Sequence, residues 1–521
     1  MLGSSRRGGF SKADRSPLDR LVPAQGFEPW TVGLKVEPDR PRHASPDRVS
    51  SSAAALPPPE APVPARQKPP SLLHALLHGR RSPAERAEAL RWRAQFYWPT
   101  AGLTLAGLLL RLDRWRTVPA PAPNADEWDW AWSGYTLLTR HMPAGWTLFS
   151  NAYPSSSLQQ VAPSDWTIHP YLDNPPLMSL LAGAIVWLRG DRTFAEVVHD
   201  PTPRLLAIAM TTVTIPLLYL VGRRVLGEGP ALVGSALYAL SPAAVLFGRV
   251  VAAEEVIALC LLAALWAVLE LQDGGRRRLA LAILFAACLV APTAKAPGLI
   301  VAGSAVLCLS RDRLWLGAAT AVVGASIGTA LVLLYAAAFD WHAFMRTVEM
   351  RGEHLTLLTP YSFITSRAGI GRHAMVDGWW LVGWIGLARR SERSGMVALA
   401  PLLYALALLG MAADYSATYG WYRLAVMPLV YLGAGDLAWR AIVQPEWSRF
   451  AFLALAAIAT AASWSGHVTP AVALIVGLGA LAPTAAYAIG ARYAKLTAAL
   501  GALALLISLL TLDLRLETIW S

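Results

Sequence analysis

The sequence predicts an all-α polytopic membrane protein, and its composition is the first reason. Of its 521 residues, 55% are hydrophobic and only 15% are charged, too few polar groups to cover a globular surface. The second reason is the order of the chain, in which long apolar runs alternate with connectors that carry Lys and Arg, as the positive-inside rule describes. These clusters, together with the Arg-rich N-terminal part of the chain, account for the net charge of +11, so we expect no nucleic-acid partner.

About thirteen apolar segments are candidate transmembrane helices, each judged against the roughly 20 residues that a helix needs to cross a bilayer. They lie near 95–112, 203–222, 231–248, 254–271, 279–294, 297–310, 314–338, 376–388, 396–413, 423–439, 450–465, 469–490 and 496–513. The apolar segment 176–188 is shorter than most of these, and we predict that it forms a helix lying on the outer membrane surface. If it crossed the membrane, every later basic cluster would change sides.

Composition separates the N-terminal part of the chain from the rest. Residues 1–90 are rich in Pro, Ser, Ala and Arg and keep no apolar period, which is typical of a disordered, basic cytoplasmic tail. Three membrane regions follow: 91–310, with a long external loop at 116–202 that bears juxtamembrane helices; 311–440, with a second external loop at 339–376; and 441–521, the C-terminal transmembrane helices.

An acidic cluster, NADEWDW at 124–130, follows the first apolar segment. Carboxylates near the hydrocarbon phase are costly and usually serve a function, so Asp126 and Glu127 are candidate catalytic residues. Asp126 is the first choice for a general base, because a fixed carboxylate there can reach an acceptor that arrives from outside. Glu127 would steer the acceptor, orient the base or help to hold a metal. Structural roles stay open for both, Asp126 as a helix N-cap and Glu127 as a charge in the first helical turn.

Glu254 and Glu255 begin a later span at its external end. They either interact favourably with the helix dipole or face Asp126 as a second carboxylate, where a divalent cation between Asp126 and Glu254 would find oxygen ligands. The metal question stays open, because no His or Cys cluster has ligand spacing. The cysteines Cys260, Cys288 and Cys308 fall within apolar segments, and we predict that they are small core residues.

Lys295 lies between Pro292 and Pro297, which predicts a broken helix. Irregular backbone at this depth is tolerated where it lines a protein cavity, and a cation there suits an anionic lipid phosphate; the alternative is a snorkelling lysine. Arg423 also suits phosphate, because its guanidinium offers two parallel donors. Its neighbour Tyr422 belongs either to the same site or to an aromatic belt at the membrane interface.

The order of several short motifs resembles that of the GT-C glycosyltransferases, specifically the branch with the protein O-mannosyltransferases and the lipid A aminoarabinose transferases. The resemblance covers about 100–310 and again 415–435. Its elements are, in chain order, the pair Asp126-Glu127, Pro-Pro-Leu at 175–177, an Arg-started span at 204–224, Ser241-Pro242 with Arg249 and Glu254, TAKAP at 293–297, and Tyr422-Arg423 with Pro428.

Two departures from the family pattern concern the substrate. The aminoarabinose transferases have a Lys where this chain has Asn174, so one phosphate-binding cation is missing at that position. The acid after Arg249 is more often Asp in the family, whereas here Glu254 and Glu255 compete for the role. Both departures leave the reaction type intact and weaken the case for lipid A as substrate.

The resemblance implies an inverting glycosyltransferase that moves a monosaccharide from a polyprenyl-phosphate-linked donor to an acceptor hydroxyl on the periplasmic face of a bacterial plasma membrane. The absence of a phosphate-binding Gly-rich motif from the sequence also favours a lipid-linked donor. The implied catalytic residues are Asp126, Glu127, Glu254 and Glu255; the donor phosphate would contact Lys295, Tyr422 and Arg423; and the substrate pocket would contain Trp128, His169, Asp173 and Asn174. The acceptor would be a lipid, a glycan or a protein, in contact with membrane lipids.

Two rival functions remain open at this stage. A secondary transporter is also polytopic with buried charges, but it should show paired repeats with interrupted helices, and we find no clear internal repeat. A lipid-linked glycan ligase or flippase-like protein would handle similar lipids without an Asp-Glu pair after the first span. Asp126→Asn distinguishes the classes, because it should abolish transfer by a glycosyltransferase and need not impair a carrier.

Overall fold

The structure is a computed structural model that describes residues 83–119, 125–147, 153–162, 165–353, 368–370, 373–375, 378–388, 395–408 and 420–464, with scattered residues between 486 and 500. This part of the chain is mostly α-helical, as the sequence predicts. The tail up to residue 82, most of the second external loop and the spans predicted beyond residue 465 lie outside the described residues, apart from a few positions within them.

The helices follow one another through most of the chain. They are α1 Pro83–Leu112, α2 Ala125–Arg140, α3 Pro176–Arg189, α4 Phe194–His199, α5 Arg204–Val225, α6 Glu228–Leu240, α7 Pro242–Phe247, α8 Glu254–Gln272, α9 Arg277–Ala294, α10 Leu299–Arg311, α11 Trp315–Phe339, α12 Trp341–Glu353, α13 Gly378–Ala388, α14 Gly395–Ala407, α15 Met427–Val443 and α16 Trp447–Trp464. Short 3₁₀ helices lie at Ser155–Ser157, Ala296–Gly298 and Gly420–Arg423. The first of these helices begins before residue 90, within the predicted tail.

Two short antiparallel hairpins depart from the all-α prediction. Strands β1 Leu158–Ala162 and β2 Asp165–Ile168 pair within the first external loop, with Leu158 opposite Ile168, and a bridge from Gly145 to Ile168 extends the pairing. Strands β3 Ala368–Ile370 and β4 His373–Met375 form the second hairpin. Strands this short, with five residues or fewer each, leave no apolar run in the sequence that would predict them.

Three helical stretches among the described residues are long and apolar enough to cross a membrane, by length and composition: Phe194–Val225, Arg277–Ala294 and Trp315–Phe339. The expected count of about thirteen spans is therefore not confirmed. Helix α3, Pro176–Arg189, is among the shorter apolar helices and has 14 residues, fewer than the roughly 20 needed for a span.

Helices α2 and α3 cross at very short range. A Cβ atom on Gly134 would lie 1.7 Å from the carbonyl oxygen of Ser179, and a Cβ on Gly183 would lie 2.2 Å from the carbonyl carbon of Gly134. Only glycine permits this approach of two backbones. The crossing therefore fixes α2, which carries the acidic cluster, against the interfacial helix predicted from 176–188.

The predicted span 231–248 is interrupted. Helix α6 ends at Leu240, Ser241 is extended, and Pro242 begins α7, because proline has no N–H to continue the helical hydrogen bonds. The buried Arg111 of α1 donates to backbone carbonyls at this break, at 3.2 Å to that of Tyr238 and 3.1 Å to that of Ala239. One guanidinium thus satisfies backbone oxygens that would otherwise be costly to bury.

Most apolar residues of these helices join one hydrophobic core. The three cysteines are free and buried, which confirms their prediction as core residues. A smaller cluster lies in the first external loop, where Tyr153, Ile168 and Tyr171 pack with Ala343 of α12. Helix α12 therefore packs against the first external loop.

Candidate active site

Helix α2 directs its two leading carboxylates to different neighbours. Asp126 and Glu127 both lie in the first turn, but consecutive helical residues point about 100° apart. Asp126 is partly exposed, whereas Glu127 is 8% exposed. Their chemical environments therefore differ.

Glu127 forms a buried, two-pronged ion pair with Arg204, the first residue of α5. Arg204 donates from Nε to Oε1 at 2.9 Å and from Nη2 to Oε2 at 2.5 Å. The backbone N–H of Val251 donates to Oε1 as well, at 3.1 Å. Arg204 is further fixed by the carbonyls of Trp115 and Pro119, at 2.9 and 2.8 Å. This geometry favours the orienting role predicted for Glu127 over contact with an acceptor.

Lys295 lies at the predicted helix break. Helix α9 ends at Ala294, Lys295 is extended, and a 3₁₀ turn begins at Ala296, so the expectation of a broken helix is confirmed. Its ammonium donates to Oε1 of Glu254 at 2.6 Å. The same nitrogen lies 4.1 Å from the ring centroid of Tyr422, within the range of a cation–π interaction. Three predicted site residues, distant in sequence, thus meet in one buried place.

Asp126 belongs to the same electrostatic neighbourhood. Its charge acts on Lys295 and also on Asp129 and Tyr171. Asp126 is therefore close enough to act electrostatically both on the cation of the broken helix and on polar groups near the first external loop.

The neighbouring acid, Glu255, occupies a different position from Glu254. It is 1% exposed, and within the described part of the chain neither of its carboxylate oxygens has a hydrogen-bond partner. It interacts electrostatically with Glu254, Glu127 and Arg111. Of the two acids that compete for the motif's role, Glu254 is the one that contacts Lys295.

Asp129 is a site residue that sequence analysis did not select. It is 5% exposed, and Oδ1 accepts from the backbone N–H of Trp146 at 2.6 Å. Burial raises the pKa of the Asp129 carboxyl well above its usual range, against the opposing effect of hydrogen bonds from Tyr171 and Trp146. The signal was present in the sequence, because Asp126 and Asp129 are three residues apart and share a helix face.

Asp173 and Asn174 lie just before α3 in a hydrogen-bonded group with the first external loop. Asp173 accepts from the hydroxyls of Thr147 and of Tyr153, the latter at 2.9 Å. Asn174 donates to the Tyr171 hydroxyl at 2.9 Å. Because Tyr171 also hydrogen-bonds Asp129, these predicted pocket residues are joined to α2.

Three other predicted site residues, Arg423, Trp128 and His169, are buried or half-buried. Arg423 is buried, with its guanidinium 5.1 Å from the ring centroid of Trp380. Trp128 packs edge-on against Phe194 at 5.4 Å between centroids, on the α4 side of α2. His169 has its Nδ1 buried without a hydrogen-bond partner among the described residues.

A metal site receives no support from the described residues, where no three His, Cys, Asp or Glu side chains converge as ligands. The ammonium of Lys295 donates to Oε1 of Glu254, whereas Oε2 of Glu254 has no hydrogen-bond partner among the described residues.

Residues 173–336 match the family described as dolichyl-phosphate-mannose-protein mannosyltransferase. This match confirms the resemblance to the protein O-mannosyltransferase branch of the GT-C glycosyltransferases over that region. No curated protein sequence matches the chain.

Solved structures with similar folds include ArnT from Cupriavidus metallidurans bound to undecaprenyl phosphate, with 15% identity, 81% of this chain and 78% of that chain covered, and a TM-score of 0.48. The oligosaccharyltransferase of Archaeoglobus fulgidus in the apo form has 12% identity, with 82% of this chain and 56% of that chain covered, and a TM-score of 0.44.

Proposed function

We propose that this chain is an integral membrane glycosyltransferase of the GT-C type that moves a monosaccharide from a polyprenyl-phosphate carrier to an acceptor hydroxyl. The observation that carries the proposal is the contact of Lys295, at the break after α9, with Glu254 of α8 and Tyr422 of the turn before α15. Asp126 of α2 is close enough to act electrostatically on Lys295. The matching family supports the donor class, because its description names a dolichyl-phosphate sugar.

Asp126 is the proposed general base. It is partly exposed, whereas Glu127 and Asp129 are buried and committed to Arg204 and Trp146. A base must reach the proton that it removes, and partial exposure permits this. The two buried carboxylates instead hold α2 in place, so that Asp126 keeps a fixed position relative to Lys295.

Lys295 is the proposed partner of the donor phosphate. Its ammonium has three donors, of which one is given to Glu254. Its position at a helix break, beside the ring of Tyr422, puts the cation in irregular backbone, which at membrane depth is found where it lines a cavity. Arg423, the residue after Tyr422, supplies a second buried cation nearby in the chain.

The reaction is one displacement at the anomeric carbon. The acceptor oxygen attacks this carbon while its proton passes to the Asp126 carboxylate. The bond from the carbon to the phosphate oxygen breaks, and the electron pair leaves with the phosphate, where Lys295 stabilises the added negative charge. Attack and departure on opposite faces invert the configuration. Asp173 and Asn174, joined to α2 through Tyr171, would flank the incoming acceptor.

The test is a transfer assay with purified full-length protein in lipid, offered a panel of polyprenyl-phosphate monosaccharides, with donor hydrolysis followed in parallel. Asp126→Asn should lower the rate by about 10²–10⁴-fold, the usual contribution of a general base. Glu349→Gln is the matched control, because it neutralises an exposed carboxylate on α12 and should leave the rate unchanged.

Three outcomes are informative. Transfer by the wild type, lost in Asp126→Asn and kept in Glu349→Gln, supports the proposal and names the sugar. Equal rates in both variants would remove Asp126 as the base. No transfer or hydrolysis with any donor, together with transport of a lipid-linked sugar between leaflets, would favour the carrier function instead.

A further inference from the structure

Helix α12, Trp341–Glu353, has three distinct faces over residues 341–350. Its buried face consists of Ala343, Thr347 and Met350, which are spaced three or four residues apart. Ala343 is fully buried against Tyr153, Ile168 and Tyr171. This face attaches the helix to the first external loop.

The contact of α12 with the loop also reaches the candidate site. The Tyr153 hydroxyl hydrogen-bonds both Thr347 and Asp173, and burial raises the pKa of this hydroxyl. Thr347 is itself fixed by a hydrogen bond to the carbonyl of Ala343 at 3.0 Å. The orientation of α12 about its own axis is therefore set by its buried face.

A second face is polar and exposed, with His342, Arg346 and Glu349. The third face is apolar yet equally exposed: Trp341 is 41% exposed, Met345 42% and Val348 46%. These three residues follow the i, i+4, i+7 spacing of one helix face, and the ring of Phe344 lies 5.7 Å from that of Trp341. A helix with water on both exposed faces gains no stability from placing its apolar and polar side chains on separate faces.

The position of α12 in the chain identifies what covers the apolar face. Helix α11 is a candidate membrane span of 25 residues, about 37 Å long at 1.5 Å per residue, against a hydrocarbon thickness of about 30 Å. Only Asp340 separates it from α12, and Oδ1 of Asp340 caps the new helix by accepting from Ala343 N–H at 2.9 Å. If α11 spans the bilayer, α12 begins at the level of the lipid headgroups.

We propose that α12 is a membrane-surface helix whose apolar face, Trp341, Met345 and Val348, inserts into the headgroup and upper acyl region of the bilayer, while its buried face holds the first external loop. The amphipathic ring of Trp341 suits this depth. The polar face would then point along or above the lipid surface into water. The proposal does not depend on the glycosyltransferase activity.

Site-directed spin labelling in phosphatidylcholine nanodiscs tests the proposal on the full-length protein. Single cysteines are introduced on the apolar face, Met345→Cys and Val348→Cys, and on the polar face as matched controls, Arg346→Cys and Glu349→Cys. The natural cysteines are buried, and the labelled wild type measures their background. Collision of each label with oxygen, which concentrates in the acyl region, is compared with collision with a water-soluble nickel chelate.

The expected result is a several-fold higher oxygen-to-nickel ratio at 345 and 348 than at 346 and 349. Equal ratios on both faces would overturn the proposal, because the apolar face would then lie in water. Protection of 345 and 348 from both reagents would also overturn it, because protein would then cover the face. Two positions on each face guard against a label that perturbs folding, which unfolding temperatures detect independently.

Discussion

Lys295 and Glu254 form a buried ion pair across 41 residues of sequence, with the ammonium nitrogen 2.6 Å from Oε1. The side chains are 7% and 1% exposed. The other oxygen of Glu254 has no hydrogen-bond partner among the described residues. Each charge is therefore compensated mainly by the other, and removing one leaves the second buried alone.

This pair predicts separate effects on stability and on transfer. Lys295→Met leaves the Glu254 carboxylate unpaired and should destabilise the protein by about 3–5 kcal/mol. The double variant Lys295→Met/Glu254→Gln should recover most of that stability, because no buried charge remains, but should still fail to transfer sugar. Unfolding in lipid and the transfer rate are measured on the same samples. Recovery of transfer in the double variant would mean that Lys295 does not act on the donor phosphate.

The ion pair of Arg204 with Glu127 predicts that a positive charge at position 204 is not sufficient for full stability. Arg204→Lys keeps the charge but loses the planar fork and the bonds to Trp115 and Pro119, so we expect a loss of about 1–3 kcal/mol in unfolding free energy. Arg189→Lys is the matched control, because Arg189 has a side chain 54% exposed in its pair with Asp200, and such pairs contribute about 0–1 kcal/mol. Similar losses in both variants would contradict the positioning role of Arg204.

The crossing of α2 and α3 predicts a strong effect from one methyl group. Gly134→Ala would place its Cβ 1.7 Å from the Ser179 carbonyl oxygen, so the helices must separate and carry Asp126 away from Asp173. We expect a lower unfolding temperature and a lower transfer rate together. Gly102→Ala is the control, because no atom lies within 4 Å of its Cβ position; it should be neutral or stabilising by up to about 1 kcal/mol. Unchanged transfer in Gly134→Ala would refute the role of the crossing.

Asp129 predicts a pH dependence of stability. Burial raises its pKa in the folded protein, so the folded state favours the protonated acid. Its contribution to stability is complete below the unfolded pKa of about 3.9 and is lost as the pH rises through the folded pKa. Asp129→Asn does not titrate, and its carbonyl oxygen can still accept from Trp146.

Unfolding of the wild type and of Asp129→Asn is therefore compared from pH 4 upward. The difference in unfolding free energy should move in favour of the variant as the pH rises, and then level off. A difference that stays constant across the range would show that the Asp129 pKa is the same in the folded and unfolded states.

The helical class and the helix break at Lys295 were predictable because they depend on local sequence. Apolar runs define helices by length, and two prolines flank the break. Pro292 lies in the last turn of α9, and Pro297 lies in the 3₁₀ turn that follows and has no backbone N–H to donate. The start of α2 at Asp126 and Glu127 was also predictable, since carboxylates are favourable in the first turn of a helix. The catalytic and phosphate-binding roles stay predictions until the variants are measured.

The tertiary partners were not predictable, because they depend on contacts distant in sequence. An arginine at the start of a span, such as Arg204, has the pattern of an interface charge, and nothing near it in sequence indicates Glu127, 77 residues away. The spacing of Asp126 and Asp129 predicts a shared helix face, but only the folded loop at Trp146 and Tyr171 shows which of the two is buried. The interruption at Ser241 has a local signal in Pro242, but nothing near it in sequence indicates that Arg111 of another helix satisfies the carbonyls of Tyr238 and Ala239.

Arg111 is a buried positive charge with a structural contact, in contrast to the phosphate contact proposed for Lys295. Nη1 and Nη2 of Arg111 donate to backbone carbonyls at the break between α6 and α7, so this cation stabilises a bend of the backbone. A scan that replaces each buried arginine or lysine by alanine would find inactive protein at Arg111 and at Lys295 for unrelated reasons. Measuring the yield of folded protein together with the transfer rate would distinguish the loss of the fold at Arg111 from the loss of the proposed phosphate contact at Lys295.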